Sequence, residues 1–165
     1  MKTYRILVAD DQPGNLDTII KYLEDSSSMY SILNATNGRI ACKVAEKKLP
    51  DLIIMDWEMP VMSGIEAIRY LKAQETTKDI PIIMATGVNT ASEHLEEALA
   101  AGAVDYIRKP FDKVELLART RSALMLSQSH KRAIEAKNNE IIAKKKALVG
   151  TQMQLGVAND LLLKV

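Results

Sequence analysis

From the N-terminus to about residue 125, continuously apolar runs alternate with segments of helical period. The runs predict strands at Tyr4–Ala9, Tyr30–Asn34, Leu52–Asp56, Pro81–Ala85 and Asp105–Ile107. The central runs lack the apolar/polar alternation of a half-exposed strand, so they read as strands covered on both faces. Apolar positions three and four apart mark the intervening helices: Leu16, Ile19, Ile20 and Leu23; Ala41, Val44 and Ala45; Ile65, Ile68 and Leu71; Leu95, Ala98 and Leu99; Val114, Leu117 and Leu124. Strand–helix alternation of this kind builds a parallel sheet with helices on both faces, and right-handed crossovers leave few topologies. The expected class is α/β, doubly wound.

After Asp112, a plausible N-cap, the chain holds no proline and no strand pattern. One extended helix is the simplest account. Ile134, Ile141, Leu148, Leu155 and Leu162 recur at every seventh residue, with Leu117 and Leu124 on the complementary core position of the same register. That spacing is a coiled-coil seam. Lys131, Asn138, Lys145, Gln152 and Asn159 then occupy the complementary position, so alternate layers are polar, and Gly150 and Gly156 each cost about 1 kcal/mol against alanine. The seam therefore predicts a marginal coil, suited to transmission, and two domains result: 1–125, and a coiled-coil helical segment over 126–165. The competing arrangement folds the helix back on its own domain.

With 165 residues, 47% of them hydrophobic and 26% charged, the chain has room for one cored domain and an appendage. No run approaches the roughly 20 apolar residues of a membrane helix, and no signal-peptide core opens the chain, so the cytoplasm is the expected compartment. The single cysteine, Cys42, falls on a helix's apolar face and reads as packing. The net charge of +1 conceals a split: 13 Lys/Arg against 18 Asp/Glu up to residue 118, then 9 against 3. The basic residues of the tail lie all round a helix with almost no aromatic interleaving, which favours solvated coil faces over nucleic-acid binding. His94 and His130 read as surface histidines.

Candidate chemistry gathers at strand ends. Asp10 and Asp11 follow the first strand, Asp56 ends the third, and Thr86 and Lys109 follow the fourth and fifth. Ligands of open parallel sheets bind beyond these carboxyl ends. Two unit charges about 4 Å apart repel by roughly 1 kcal/mol in water and about 4 kcal/mol at an effective dielectric of 20, so three clustered carboxylates call for a compensating cation. Magnesium suits one or two carboxylates plus phosphate oxygens, and with a hydroxyl and an ammonium nearby the set fits a metal and a phosphoryl group. The turn Asp10-Asp11-Gln12-Pro13-Gly14 lacks the glycine-rich fingerprint of a dinucleotide site and argues against one. Taken singly, Asp10 or Asp11 could only cap the next helix, Thr86 could bond to backbone, and Lys109 could be solvated.

Residues 1 to about 125 resemble the receiver domain of two-component response regulators. The resemblance rests on Asp10-Asp11, on Asp56 followed by Met59-Pro60 and Gly64, on Thr86-Gly87, on Gly102-Ala103, and on Lys109-Pro110-Phe111. It implies a flavodoxin-like five-stranded sheet in the order 2-1-3-4-5, with Asp56 accepting a phosphoryl group from a histidine kinase or phosphotransfer protein. It further implies magnesium held by Asp10, Asp11, Asp56 and the main-chain carbonyl of Glu58. Lys109 and Thr86 would contact the phosphoryl oxygens, Gly87 would let the backbone approach them, and Tyr106 would be the switch aromatic that follows Thr86. Receivers commonly hold a cis peptide at the position of Lys109-Pro110. Two departures stand out: Glu58 places an acid two residues past the acceptor, and Val88 places an apolar side chain two past Thr86. The Glu58 side chain could reach the metal or obstruct the hydrolytic water, which bears on the phosphate lifetime, and Val88 offers no side chain to activate water, so slow self-dephosphorylation is expected.

The tail resembles helical linkers between receivers and output enzymes, and Ala158–Val165 looks like the segment entering a class III nucleotide cyclase domain. The expected protein is a regulatory module, not a turnover enzyme, that pairs through a parallel coil and feeds an output domain, with no membrane or direct nucleic-acid partner. A chain ending on Leu161-Leu162-Leu163 suggests a longer protein. The alternatives are a stand-alone phosphorelay carrier or scaffold with a docking tail, and a metal-dependent phosphatase of the haloacid dehalogenase class. The Asp10-Gln12 spacing does not match the nucleophile–acid pair of the latter.

Overall fold

A computed structural model of the chain describes residues 1–87 and 92–164. The elements run β1 (Tyr4–Ala9), α1 (Pro13–Ser26), β2 (Tyr30–Ala35), α2 (Gly38–Lys48), β3 (Leu52–Asp56), α3 (Gly64–Lys72), β4 (Ile82–Thr86), α4 (Ser92–Ala101), β5 (Asp105–Arg108) and α5 (Lys113–Leu162). The five strands form one parallel sheet in the order β2-β1-β3-β4-β5. Both the α/β class and the strand order match expectation. β4 begins at Ile82, one residue later than predicted: Pro81 has no N–H for the ladder, although its carbonyl accepts from Ile53 N at 3.0 Å.

Successive residues of each buried strand serve opposite faces. Ile6, Val8, Ile54, Ile83 and Ile107 pack with Leu16, Ile19 and Leu23 of α1 and with Leu116, Ala123 and Leu124 of α5. On the other face, Leu7, Ala9, Ile53, Met55, Ile82 and Met84 pack with Ala41 and Cys42 of α2, Ile65, Ile68 and Leu71 of α3, and Ala98 of α4. Cys42 is buried, and burial, with Glu46 adding to it, pushes its thiol up to about 11, so it behaves as packing.

Local chemistry fixes the helix starts. Asn37 caps α2 through Ile40 N, and Ser63 with Glu66 closes a reciprocal capping box on α3. Asp112 accepts from Glu115 N at 2.8 Å at the start of α5, as the sequence predicts. Two helix faces differ from expectation. In α4 only Ala98 is buried, while Leu99 is exposed. In the first part of α5, Leu116, Thr120, Ala123, Leu124 and Ser127 face inward and Val114 is exposed. Leu124 and, in part, Leu117 are thus occupied by the domain's own core rather than by a coil seam. The sheet presents an apolar surface that takes these leucines first.

The chain divides into two compact units, Met1–Ser127 and the remainder from Gln128. The second unit is helical through Leu162, and none of its described residues is buried. Its seam residues Ile134, Ile141, Leu148, Leu155 and Leu162 are all exposed. No helix among the described residues is long and apolar enough to cross a membrane.

Candidate functional site

Strand register brings the polar residues together. Ala9 pairs with Met55 and Asp56 with Ala85, so Asp10, Asp56 and Thr86 leave adjacent strands at the same edge. Lys109 follows β5, and its N–H donates to the Thr86 carbonyl at 2.7 Å, tying the fourth and fifth strand ends. The Lys109-Pro110 peptide is cis.

Asp10, Asp11 and Asp56 each present a carboxylate oxygen within 4.8 Å of the others. Asp10 and Asp56 are buried, whereas Asp11 is exposed. Lys109 Nζ donates to Asp56 Oδ1 at 2.7 Å and stands 2.9 Å from Asp10 Oδ2, an ion-pair contact without hydrogen-bond alignment. Asp10 Oδ1 also accepts from Gln12 N at 2.9 Å and Asn15 Nδ2 at 3.3 Å, so Asp10 both faces the cluster and anchors the start of α1.

Burial is the largest influence on Asp56, raising its pKa from 3.8 to about 6; Lys109 pulls it down, while Asp10 and Asp11 push it up. Burial works against the Lys109 ammonium, yet Asp56 and Asp10 outweigh it and hold its pKa above the ordinary lysine value. One ammonium therefore compensates the carboxylates only in part. Thr86 Oγ1, on the neighbouring strand end, is buried with no hydrogen-bond partner among the described residues, a state that calls for a partner. Carboxylates short of positive charge, beside an unused hydroxyl, fit a hard divalent cation and an oxyanion.

The site opens into a cleft of about 640 Å³, lined by Asp11, Asp56, Trp57, Glu58, Met59, Gly87, His94 and Lys109 among others. Gly64 holds the loop after Asp56 close: its N–H donates to the Trp57 carbonyl at 2.9 Å, and any Cβ there would collide with the Asp56 carbonyl oxygen. Gly87 faces open space. Gly102, at φ +117°, makes the turn before β5.

Structure thus brings Asp10, Asp11, Asp56 and Lys109 into one cluster, sets Thr86 on the neighbouring strand end, and places Glu58, exposed, on the cleft wall. Val88 lies outside the described residues. Tyr106 is partly buried against the core, with the Arg119 guanidinium 5.8 Å from its ring centroid. Arg119 in turn holds both Asp105 oxygens, at 2.9 and 2.7 Å.

Sequence reasoning did not single out Trp57 or Asn15, and it read Arg119 as part of a solvated coil face, whereas Arg119 is part-buried and pairs with Asp105 and Glu115 of the domain. His94, expected as an ordinary surface residue, is exposed but forms part of the cleft wall, its ring stacked near Trp57. Position alone could have flagged both rings, because each lies in the segment that follows a strand's carboxyl end.

A five-stranded parallel sheet thus gathers a partly buried carboxylate cluster and a lysine at its carboxyl edge. The family model of the response regulator receiver domain matches residues 6–121. This chain belongs to that family. It is 42% identical over 119 residues to the phosphate regulon transcriptional regulatory protein PhoB of Pseudomonas aeruginosa, covering 72% of this chain and 51% of that protein. It is 33% identical over 143 residues to the response regulator PleD of Caulobacter vibrioides, covering 84% of this chain and 31% of PleD. The chain therefore spans about half or less of these relatives' length. Among solved structures, the chemotaxis response regulator CheY4 of Vibrio cholerae superposes with a TM-score of 0.68 at 31% identity, covering 74% of this chain and 99% of CheY4. The receiver domain of the sensor histidine kinase PA1611 from Pseudomonas aeruginosa, with a magnesium ion coordinated in its active site cleft, gives 0.67 at 33% identity, covering 74% of this chain and 98% of that one.

Proposed function

We propose that Asp56 is the phosphoryl acceptor of this receiver, supplied by a histidine kinase or phosphotransfer protein, and that the phosphorylated state is passed through a paired C-terminal coil to an output domain. The observation that carries the acceptor assignment is the buried Asp56 carboxylate, held by Lys109 beside Asp10 and Asp11 at the floor of an open cleft.

Asp10, Asp11, Asp56 and the Glu58 main-chain carbonyl would hold magnesium, which when bound supplies positive charge to the carboxylates and to the incoming phosphoryl oxygens. An Asp56 oxygen attacks phosphorus in line and forms an acyl phosphate, while the donor leaves with the electron pair of its former bond to phosphorus. The Lys109 ammonium then has a phosphoryl oxygen to bond in exchange for part of its carboxylate contact. Thr86 gives its unused hydroxyl to another oxygen. Tyr106 would respond to that movement against the Arg119 guanidinium, biasing the face formed by α4, β5 and α5 between two arrangements.

The domain assignment of 1–125 as receiver and 126–165 as helical linker is part of this reading, as is cytoplasmic placement. Support for the coil is the exposed seven-residue seam from Ile134 to Leu162, which an isolated helix would leave in water. A parallel homodimer buries it. A nucleotide cyclase of class III is the output domain that the last residues suggest.

Intact mass after incubation with magnesium and acetyl phosphate tests the acceptor. One phosphoryl adduct is expected, absent in Asp56→Asn, and light scattering on the same samples reports whether it changes pairing. Folded protein with no adduct would overturn the assignment and leave a binding scaffold.

A further inference from the structure

Two rings in the lining of the cleft play no part in the acceptor chemistry described above. Trp57 and His94 lie with centroids 5.5 Å apart and planes at 32°, and both line the cleft that holds Asp56 and Lys109. They come from different elements: Trp57 directly follows β3, and His94 is the third residue of α4. The Trp57 backbone is fixed from two sides, its N–H donating to Ala85 O at 3.0 Å and its carbonyl accepting from Gly64 N at 2.9 Å. Its half-buried side chain packs against the core, whereas His94 is exposed.

In-line transfer gives this location a meaning. In in-line attack by Asp56 the bond to the leaving group points away from the carboxylate, into the cleft that Trp57 and His94 also line. What stands there meets the leaving group, not the phosphoryl oxygens. A pair of π-faces rewards a flat ring and offers little to a small acyl group.

We propose that the Trp57–His94 pair is a leaving-group subsite that selects phosphodonors whose leaving group is a flat heteroaromatic ring, imidazole above all, over donors with a small acyl leaving group. This rests on Asp56 as the acceptor. In the favoured step an Asp56 carboxylate oxygen forms the new P–O bond as the P–N bond breaks. The electron pair of that bond stays on the ring nitrogen, and an imidazole already protonated on its other nitrogen leaves neutral.

The test uses the full chain with magnesium and follows the rate of adduct formation from monophosphoimidazole and from acetyl phosphate at limiting donor. The quantity read is the ratio of the two rates. His94→Ala and Trp57→Leu are each expected to lower it about three- to tenfold, the range one aromatic contact contributes, while His94→Phe keeps it within about twofold of the wild type. His94 is exposed, so its variants decide the matter even if Trp57→Leu fails to fold. An unchanged ratio in His94→Ala overturns the subsite, as does His94→Phe falling as far as His94→Ala. No adduct from either donor in the wild type overturns the acceptor assignment itself, and the subsite with it.

Discussion

In its proposed role as acceptor, Asp56 answers to two opposed demands: burial sheds water from its carboxylate, yet the carboxylate must be ionised to attack. Burial wins in the protein alone, leaving its pKa at about 6. Because the folded state holds this proton more tightly than the unfolded chain, the associated stability is fully present below about pH 4 and is lost as pH rises through about 6. Asp56→Asn, which keeps the neutral shape, is therefore expected to be more stable than the wild type by about 1–3 kcal/mol at pH 7.5 without metal, the gain vanishing near pH 4. Urea denaturation at the two pH values checks it; equal gains at both would mean that the charge is not the cause. Lys109→Met removes the ammonium that the carboxylates share and is expected to slow adduct formation by an order of magnitude or more. Neighbouring Glu58 stands on the cleft wall. Its phosphate-bearing protein is expected to lose the group slowly, over minutes or longer, in magnesium, and a lifetime of seconds would refute that.

At the scale of elements, α5 serves two masters. Its first turns give Leu116, Thr120, Ala123 and Leu124 to the sheet, whereas its later turns carry the exposed seam from Ile134. Ile141→Asp with Leu148→Asp puts charge into that seam and is expected to yield monomers by light scattering, with adduct formation on Asp56 intact. A dimer that persists in this variant would place the interface outside the proposed coil. Arg119 links α5 to β5 through Asp105 and the Tyr106 ring. Arg119→Ala frees the Tyr106 ring, so on the proposed switch the Tyr106 resonances, followed by NMR, are expected to shift in the direction that acetyl phosphate shifts those of the wild type, before any phosphate is added.

For the molecule as a whole, the separation into units has a direct consequence. No described residue beyond Ser127 is buried, so residues 1–127 alone are expected to keep the thermal midpoint and the acceptor reaction of the full chain. A large loss of midpoint would show that the tail stabilises the domain. Magnesium is expected to raise that midpoint in both forms, since an ion that binds only the folded cluster stabilises it by mass action.

Much of this protein was legible in its residues. Continuous apolar runs identified the buried strands, because a strand covered on both faces has no polar position to spare. Asp10, Asp11, Asp56, Thr86 and Lys109 could be grouped before any coordinates, because a parallel sheet delivers all its strand ends to one edge. Sequence by itself determined which groups meet there. Only tertiary structure decided how they share charge, since the 2.7 Å contact of Lys109 with Asp56, and a Thr86 hydroxyl with no partner among the described residues, depend on register and burial. It also decided that Leu124 belongs to the domain core and that His94 meets Trp57 over the cleft. A helical period marks a face without saying what covers it, and residues 37 apart in the chain become neighbours only when two strand ends align.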